Sequence, residues 1–339
     1  MRAWQLHDTT GPEALALDEI DEPQPGPAQV RVALKVIGLN HLDLWVSRGL
    51  PAPGNLPHIL GADGAGTIDS VGEGVAGWDI GDEVIVNPSM SCGKCDYCLH
   101  DQMVYCRSYQ ILGEHDPGTL AEKVVLPATS LMVKPPTLDW PTAGTFGLVT
   151  GTAYRMLSRA RLQPKETALV VGVGGGVSSA AMAIALAQGA RVFVTSRSSE
   201  KIAWAVGQGA EAGFDSAGEF AKDLKQATGG GADVVVENVG DATWGQSIRS
   251  LNPGGRIVVC GATAGNKVQL TLPVLWFKQL EIIGSTMFTR SEFARVLNMV
   301  ENGKVPVPVD RIYPFEELPQ ALARLDAGEQ MGKIGLELV

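Results

Sequence analysis

The segment that most limits the fold lies near the middle of the chain. Residues 167–171, Thr-Ala-Leu-Val-Val, run directly into Gly172-Val173-Gly174-Gly175-Gly176-Val177-Ser178. A helical pattern follows over 177–188 and stops at Gly189. A strand that is apolar at every position suits a sheet covered on both faces, the usual state of parallel strands. Parallel strands in turn require helical crossovers. The sequence supplies them: strands are expected at 191–195, 234–236, 256–260 and 281–284, and helices at 200–208 and 244–251. Alternation of this kind implies βαβ units and a doubly wound α/β sheet. Glycines between strand and helix permit a tight turn and let backbone N–H groups approach a pyrophosphate at the helix N-terminus. A strict G-x-G-x-x-G would place Gly at 177, where Val177 stands. The strand–loop–helix setting therefore carries the reading, with Gly172, Gly174, Gly175, Gly176 and Val177 as expected dinucleotide contacts.

The end of the second strand bears on which dinucleotide is taken. An acid there would accept from the adenosine ribose and repel a 2′-phosphate. The chain instead reads Thr195-Ser196-Arg197-Ser198-Ser199, with no acid before Glu200. Ser196 removes the repulsion and Arg197 offers a guanidinium to a phosphate. NADPH is favoured, and NADH is the alternative.

At 339 residues the chain calls for two domains. Before about Lys134 it shows short strands, at 3–6, 15–20, 30–36, 66–71 and 82–86, punctuated by turns such as Gly72-Glu73-Gly74. These suggest a compact β-barrel-like domain. The tail from Ser291 holds two helical patterns, 292–301 and 318–327, and is expected to return to that first domain. A net charge of −10 without a basic cluster argues against nucleic acid or an anionic membrane as partner. No apolar run is long enough to span a membrane, and MRAWQLHDTT lacks the apolar core of a secretion signal. The expectation is a cytoplasmic protein with a small-molecule substrate.

Cys92, Cys95, Cys98 and Cys106 fall within fifteen residues as C-x2-C-x2-C-x7-C. Four thiolates complete a tetrahedral zinc shell and leave no position for water or substrate, so one structural zinc is expected. The spacing lacks the ferredoxin pattern of an iron–sulfur site. Cys260, in an expected buried strand, suits a small core residue better than a nucleophile.

With both motifs in place, the chain resembles the medium-chain dehydrogenase/reductases, which include zinc alcohol dehydrogenases and quinone or enone reductases. Gly61-Ala62-Asp63-Gly64-Ala65-Gly66, Val71-Gly72-Glu73-Gly74-Val75, Gly81-Asp82-Glu83-Val84 and Gly332-Lys333-Ile334 join the two motifs in carrying the likeness across nearly the whole chain. The resemblance implies a GroES-like β-barrel domain, residues 1–148 with 290–339, bearing the zinc lobe at 88–110. It also implies a Rossmann domain at 149–289, an active site between the two, and a homodimer or homotetramer. The expected dinucleotide site further takes in Ser196, Arg197, Lys201, Gly261, Ala262, Ser285, Thr286 and Lys333.

The departures from the alcohol dehydrogenases are specific. Their catalytic zinc takes a Cys, a His and a second Cys or an Asp. Asn40-His41-Leu42-Asp43 replaces the Cys-x-(Ser/Thr)-Asp that opens this set, Ala62 replaces the His, and the last Cys falls near Val149 or Thr150. Asn-x-apolar-Asp resembles the zinc-free quinone and enone reductases instead. Those enzymes pass hydride from NADPH to the β-carbon of a conjugated carbonyl, and donors such as Asn40 can meet the charge on its oxygen. Asn40, His41 and Thr150 are the catalytic candidates, with His41 or water as proton source. Two rivals stand beside this reading: an alcohol or aldehyde dehydrogenase, and a dinucleotide-binding protein without turnover.

Overall fold

A computed structural model describes residues 1–338, and they divide into two compact units. The first comprises Met1–Leu148, Thr289–Glu301 and the chain from Val307; the second comprises Val149–Phe288 and Asn302–Pro306.

The first unit opens with β1 (Arg2–Leu6), β2 (Leu15–Glu19) and β3 (Gln29–Gly38), followed by helix α1 (His41–Ser47). Then come β4 (His58–Ile59), β5 (Asp63–Val71), β6 (Glu83–Val86) and β7 (Ser89–Met90). The lobe that follows holds α2 (Asp96–Leu99) and β8 (Gln110–Ile111), and β7 pairs with β8. Strands β9 (Lys123–Pro127) and β10 (Leu131–Val133) lead to α3 (Trp140–Thr145) and α4 (Gly147–Arg159). Alternation along β3 sends Val30, Val32 and Leu34 into a core with Leu60, Ile68, Val84 and Leu126. Gly66 of β5 lies opposite Leu34, where a Cβ would collide with the carbonyl of Ala33, so only glycine fits this register. Helix α1 is absent from the sequence expectation. At seven residues it is too short to show a period, and it starts because the Asp43 carboxylate accepts the Asn40 N–H at 2.8 Å.

The second unit alternates β11 (Thr167–Val170), α5 (Gly176–Ala187), β12 (Arg191–Ser196), α6 (Ser199–Gly207), β13 (Ala212–Asp215) and α7 (Phe220–Thr228). It continues with β14 (Ala232–Glu237), α8 (Asp241–Ser250), β15 (Leu251–Val259), α9 (Leu272–Phe277) and β16 (Glu281–Gly284). All pairings are parallel, in the order β13-β12-β11-β14-β15-β16. This is the doubly wound sheet expected from the apolar runs: every residue of β11 is buried. Strand β13 and helix α7 escaped the sequence reading. Half-exposed β13 contains Gly213 and has Phe214 as its one large apolar residue, so it carries no buried-strand signature.

The chain then adds α10 (Arg290–Glu301), β17 (Val309–Pro314), α11 (Leu318–Asp326) and β18 (Lys333–Glu337). Strand β18 pairs antiparallel with β3 and parallel with β17, completing the sheet order β10-β6-β5-β3-β18-β17, with β9 also on β3. Among the described residues no helix is long and apolar enough to cross a membrane.

Candidate functional site

Strand order reverses at β11, which is flanked by β12 and β14, and the carboxyl ends beside such a reversal form the crevice of doubly wound folds. The glycine loop lies there. Gly172 and Gly174 adopt φ of +77° and +104°, a region costly for any residue with a Cβ. Gly172 N–H donates to Thr195 Oγ1 (3.2 Å) and Val173 N–H to the Thr195 carbonyl (2.8 Å), which fixes the loop on the end of β12. Gly175 then opens α5, with Gly176 and Val177 in its first turn. The stem of Lys201 lies over Gly174, in the space a Cβ would fill. Ser196 is buried at the end of β12 and its hydroxyl accepts the Ser198 N–H (3.2 Å), while Arg197 is exposed. Gly261 and Ala262 follow β15, and Ser285 and Thr286 follow β16. These expected contacts all stand at the same end of one sheet, and the buried Ser285 hydroxyl has no hydrogen-bond partner there. The glycine turn, the free helix start and this orphaned hydroxyl fit a dinucleotide.

In the lobe, the four cysteine sulfurs lie within 4.8 Å of one another. Cys95–Cys98 and Cys92–Cys106 stand 3.5 Å apart and Cys92–Cys98 3.8 Å. Sulfurs bound about 2.3 Å from one zinc stand about 3.8 Å apart in a tetrahedron, so the arrangement fits that metal. N–H groups of Lys94 and Cys95 pull the Cys92 thiol down to about 6. Cys95 receives the Cys98 N–H, yet burial and the adjoining sulfurs push it up to about 11. Crowded thiols cannot all ionise alone, and a dication removes that conflict. Among the described residues this is the one group with metal-ligating geometry; His41, His58 and His115 do not join Asp43 and Asp63 in another. Asp101, also in the lobe, accepts from Thr289 Oγ1 (2.9 Å), the Ser291 hydroxyl and the Ser291 N–H (3.4 Å), and so holds the start of α10.

A third centre forms where β3, β5 and β18 meet. Asn40, Asp43, Asp63 and Lys333 are all at least 96% buried there. Lys333 Nζ donates to the Leu39 carbonyl (2.6 Å), Asn40 Oδ1 (2.6 Å) and Asp63 Oδ2 (3.3 Å). Asn40 Nδ2 donates to Asp63 Oδ2 (3.0 Å) and the Gly38 carbonyl (3.4 Å). Asp63 Oδ1 accepts the Leu148 N–H (2.6 Å) at the start of α4. Burial pushes Asp63 above the usual carboxylate range and Lys333 below the usual lysine value, each against the pull of the other. Burial also pushes Asp43 up to about 7, against the N–H groups of Asn40 and Gly61 that it accepts.

Two sequence expectations differ from this geometry. The Asn40 amide does not face outward as a free donor: its N–H groups and oxygen are spent on Asp63, Gly38 and Lys333. Lys333, expected among the dinucleotide contacts, has its ammonium held by three acceptors of the first unit. Neither change was visible in sequence, because Asn40 and Lys333 are 293 residues apart and only sheet pairing joins them. His41 opens α1, partly exposed, with its ring 6.3 Å from that of Trp45. Thr150 is buried on α4 in the second unit.

Sequence reasoning also passed over Glu237. This carboxylate closes β14 with no exposure, accepting from the N–H groups of Val239 and Gly240 and the hydroxyls of Thr243 and Ser247. An acid directly after buried valines is costly without partners, and that signal could have marked it.

Comparison with known proteins agrees with this architecture. Residues 26–136 match the family described as "Alcohol dehydrogenase GroES-like domain", and residues 176–302 match "Zinc-binding dehydrogenase". An "Alcohol dehydrogenase" of Schizosaccharomyces pombe is 30% identical over 98% of this chain and 96% of its own length. An "Acryloyl-coenzyme A reductase" of Metallosphaera sedula is 32% identical over 93% of this chain and 94% of its own. A crystal structure described as "NAD-dependent alcohol dehydrogenase" superposes with a TM-score of 0.96 at 40% identity, covering 100% of both chains.

Proposed function

The chain belongs to the medium-chain dehydrogenase/reductase superfamily and is an oxidoreductase, and on that premise we propose that it reduces conjugated carbonyl compounds or quinones with NADPH. The observation carrying this reading is the Lys333 ammonium seated on Asn40 and Asp63. In the alcohol dehydrogenases that the chain resembles, the position of Asn40 supplies the first ligand of a catalytic zinc. Here that side chain is committed to Lys333, and Ala62 and Val149 offer no ligand atom.

Oxidising an alcohol requires a base or metal to take the hydroxyl proton as hydride leaves. Those three positions supply neither. Reducing a conjugated double bond asks for a donor to the enolate oxygen and a proton delivered late to carbon. When bound, NADPH supplies the hydride. His41 is the proposed proton source beside water, and buried Thr150 a proposed donor to the carbonyl oxygen. Asn40 acts as a positioning residue: it holds Lys333 and Asp63 at the start of α4. Ser196 and Arg197 favour the 2′-phosphate for the reasons of charge already given. One zinc closes the four-cysteine lobe and stabilises it without taking part in the reaction.

Likeness to proteins named alcohol dehydrogenases favours the second reading, oxidation of an alcohol with NAD. A panel decides between them: enones, quinones, enoyl thioesters and aldehydes with NADPH or NADH, and alcohols with the oxidised cofactors. Rapid alcohol oxidation without enone, quinone or enoyl-thioester turnover would overturn the reductase reading. If bound NADPH is oxidised by no acceptor, the chain has no such turnover.

The proposal includes a homodimer. Strand β16 is an edge of its sheet, and Leu272, Trp276, Phe277 and Ile282 around it are exposed, Phe277 by 80%. A second copy related by a two-fold axis would continue the sheet and cover them. Phe277→Asp should convert dimer to monomer in light scattering; an unaltered mass would remove this edge from the interface.

A further inference from the structure

Glu237 sits where three loops of the second unit are tied together. Its Oε1 accepts Val239 N–H (2.7 Å) and Gly240 N–H (3.2 Å). The Thr243 hydroxyl lies 3.1 and 3.0 Å from its two oxygens, and the Ser247 hydroxyl donates to Oε2 at 2.5 Å. The compensation for this buried charge comes from these donors and the start of α8. The carboxylate thus fixes segment 238–240, in which Gly240 has φ of +91° and lies against the Gly265 carbonyl.

That segment bonds outward in two directions. Asn238 Nδ2 donates to Ser178 Oγ (3.2 Å), which donates to the Val171 carbonyl (3.0 Å) at the root of the glycine loop. On the other side, Thr263 N–H donates to the Asn238 carbonyl (3.2 Å) and Ala264 N–H to the Val239 carbonyl (2.7 Å). Asp241 N–H closes the lacing on the Gly265 carbonyl (3.0 Å). The loops after β11, β14 and β15 therefore share one internal anchor. The loop after β12, with Ser196 and Arg197, is held through Ser198, and the end of β12 meets the glycine loop at Thr195.

A dinucleotide crossing the strand-order reversal lays its adenosine half over β11–β12 and its other half over β14–β15. We infer that Glu237 is a positioning residue for the half beyond the pyrophosphate and leaves the adenosine half untouched. This rests on the dinucleotide reading above.

The test compares NADPH with adenosine 2′,5′-bisphosphate, the fragment that ends before the pyrophosphate bridge, by fluorescence titration of the full zinc-loaded chain. Glu237→Gln turns one acceptor oxygen into a donor facing N–H or O–H groups. It should weaken NADPH by about tenfold or more, because misplacing a contact segment by on the order of 1 Å carries a cost of that size or larger. The fragment should bind within about twofold of wild type, and Glu237→Asp should restore part of the NADPH affinity. Thr243→Val, which removes one donor, should show the same split more weakly if Glu237→Gln does not fold. Equal loss for both ligands, or no loss for either, overturns the inference. Should the wild type ignore the bisphosphate but bind NADH, the NADPH reading falls. The Glu237 inference is then decided by the same comparison between NADH and 5′-AMP.

Discussion

Replacing Lys333 with Met tests whether the buried cluster is one electrostatic unit. Methionine keeps most of the length and apolar volume, so the change removes a charge and three donated bonds, at 2.6, 2.6 and 3.3 Å. Asp63 keeps the Leu148 and Asn40 donors but loses its cation at 1% exposure. Removing one partner of a buried pair costs about 3–5 kcal/mol. Asp63→Asn in the same background removes the stranded charge. The double variant should therefore be more stable than the sum of the single losses predicts, by about 2 kcal/mol or more. Acid should relieve Lys333→Met further, because the unpaired carboxylate can then take a proton. Two units make a single unfolding free energy ambiguous. The cycle is best read by native-state hydrogen exchange at β3 and β5 amides. Additivity within about 0.5 kcal/mol would refute the coupling.

Three other outcomes are expected. The Asp43 carboxyl lies at about 7 when folded against 3.8 ordinarily, so the folded state holds the proton more tightly. Its contribution is present below about pH 4 and lost as pH rises through 7, by up to roughly 4 kcal/mol at ~1.4 kcal/mol per pH unit. Asp43→Asn should flatten that slope, and identical pH–stability curves would sink the assignment. Cys95→Ser should lower stability and bring zinc, measured by elemental analysis, well below one per chain, while the folded fraction keeps its cofactor affinity. Arg197→Ala should weaken NADPH roughly ten- to a hundredfold and barely change NADH; equal wild-type affinities for the two would remove Arg197 from phosphate recognition.

The sequence discloses interactions that are local or periodic. The apolar run of β11, the glycines after it and the cysteine spacing all lie within one stretch of chain, so their geometry follows from neighbours. Short elements such as α1 and β13 carry too few residues for a period to emerge. The polar cluster is harder still. Asn40, Asp63 and Lys333 are ordinary residues until the β3–β5 and β3–β18 registers bring them together. Asn40 stands out in sequence by its departure from the family motif, yet its bonding depends on a lysine near the other end of the chain.

Asp63 and Asp101 hold the starts of α4 and α10, where the chain first leaves the first unit and first re-enters it. The two points are neighbours: Phe146 stacks on Phe293 at 5.7 Å, and a Cβ on Gly147 would stand 3.4 Å from the Phe293 ring. The second unit is therefore a long excursion whose ends are fastened side by side by carboxylates of its host. Since the entropy of closing a loop grows only with the logarithm of its length, what is enclosed matters little to the host. What the first unit supplies is a pair of adjacent attachment points, and the length of chain enclosed between them changes the closure cost only slowly.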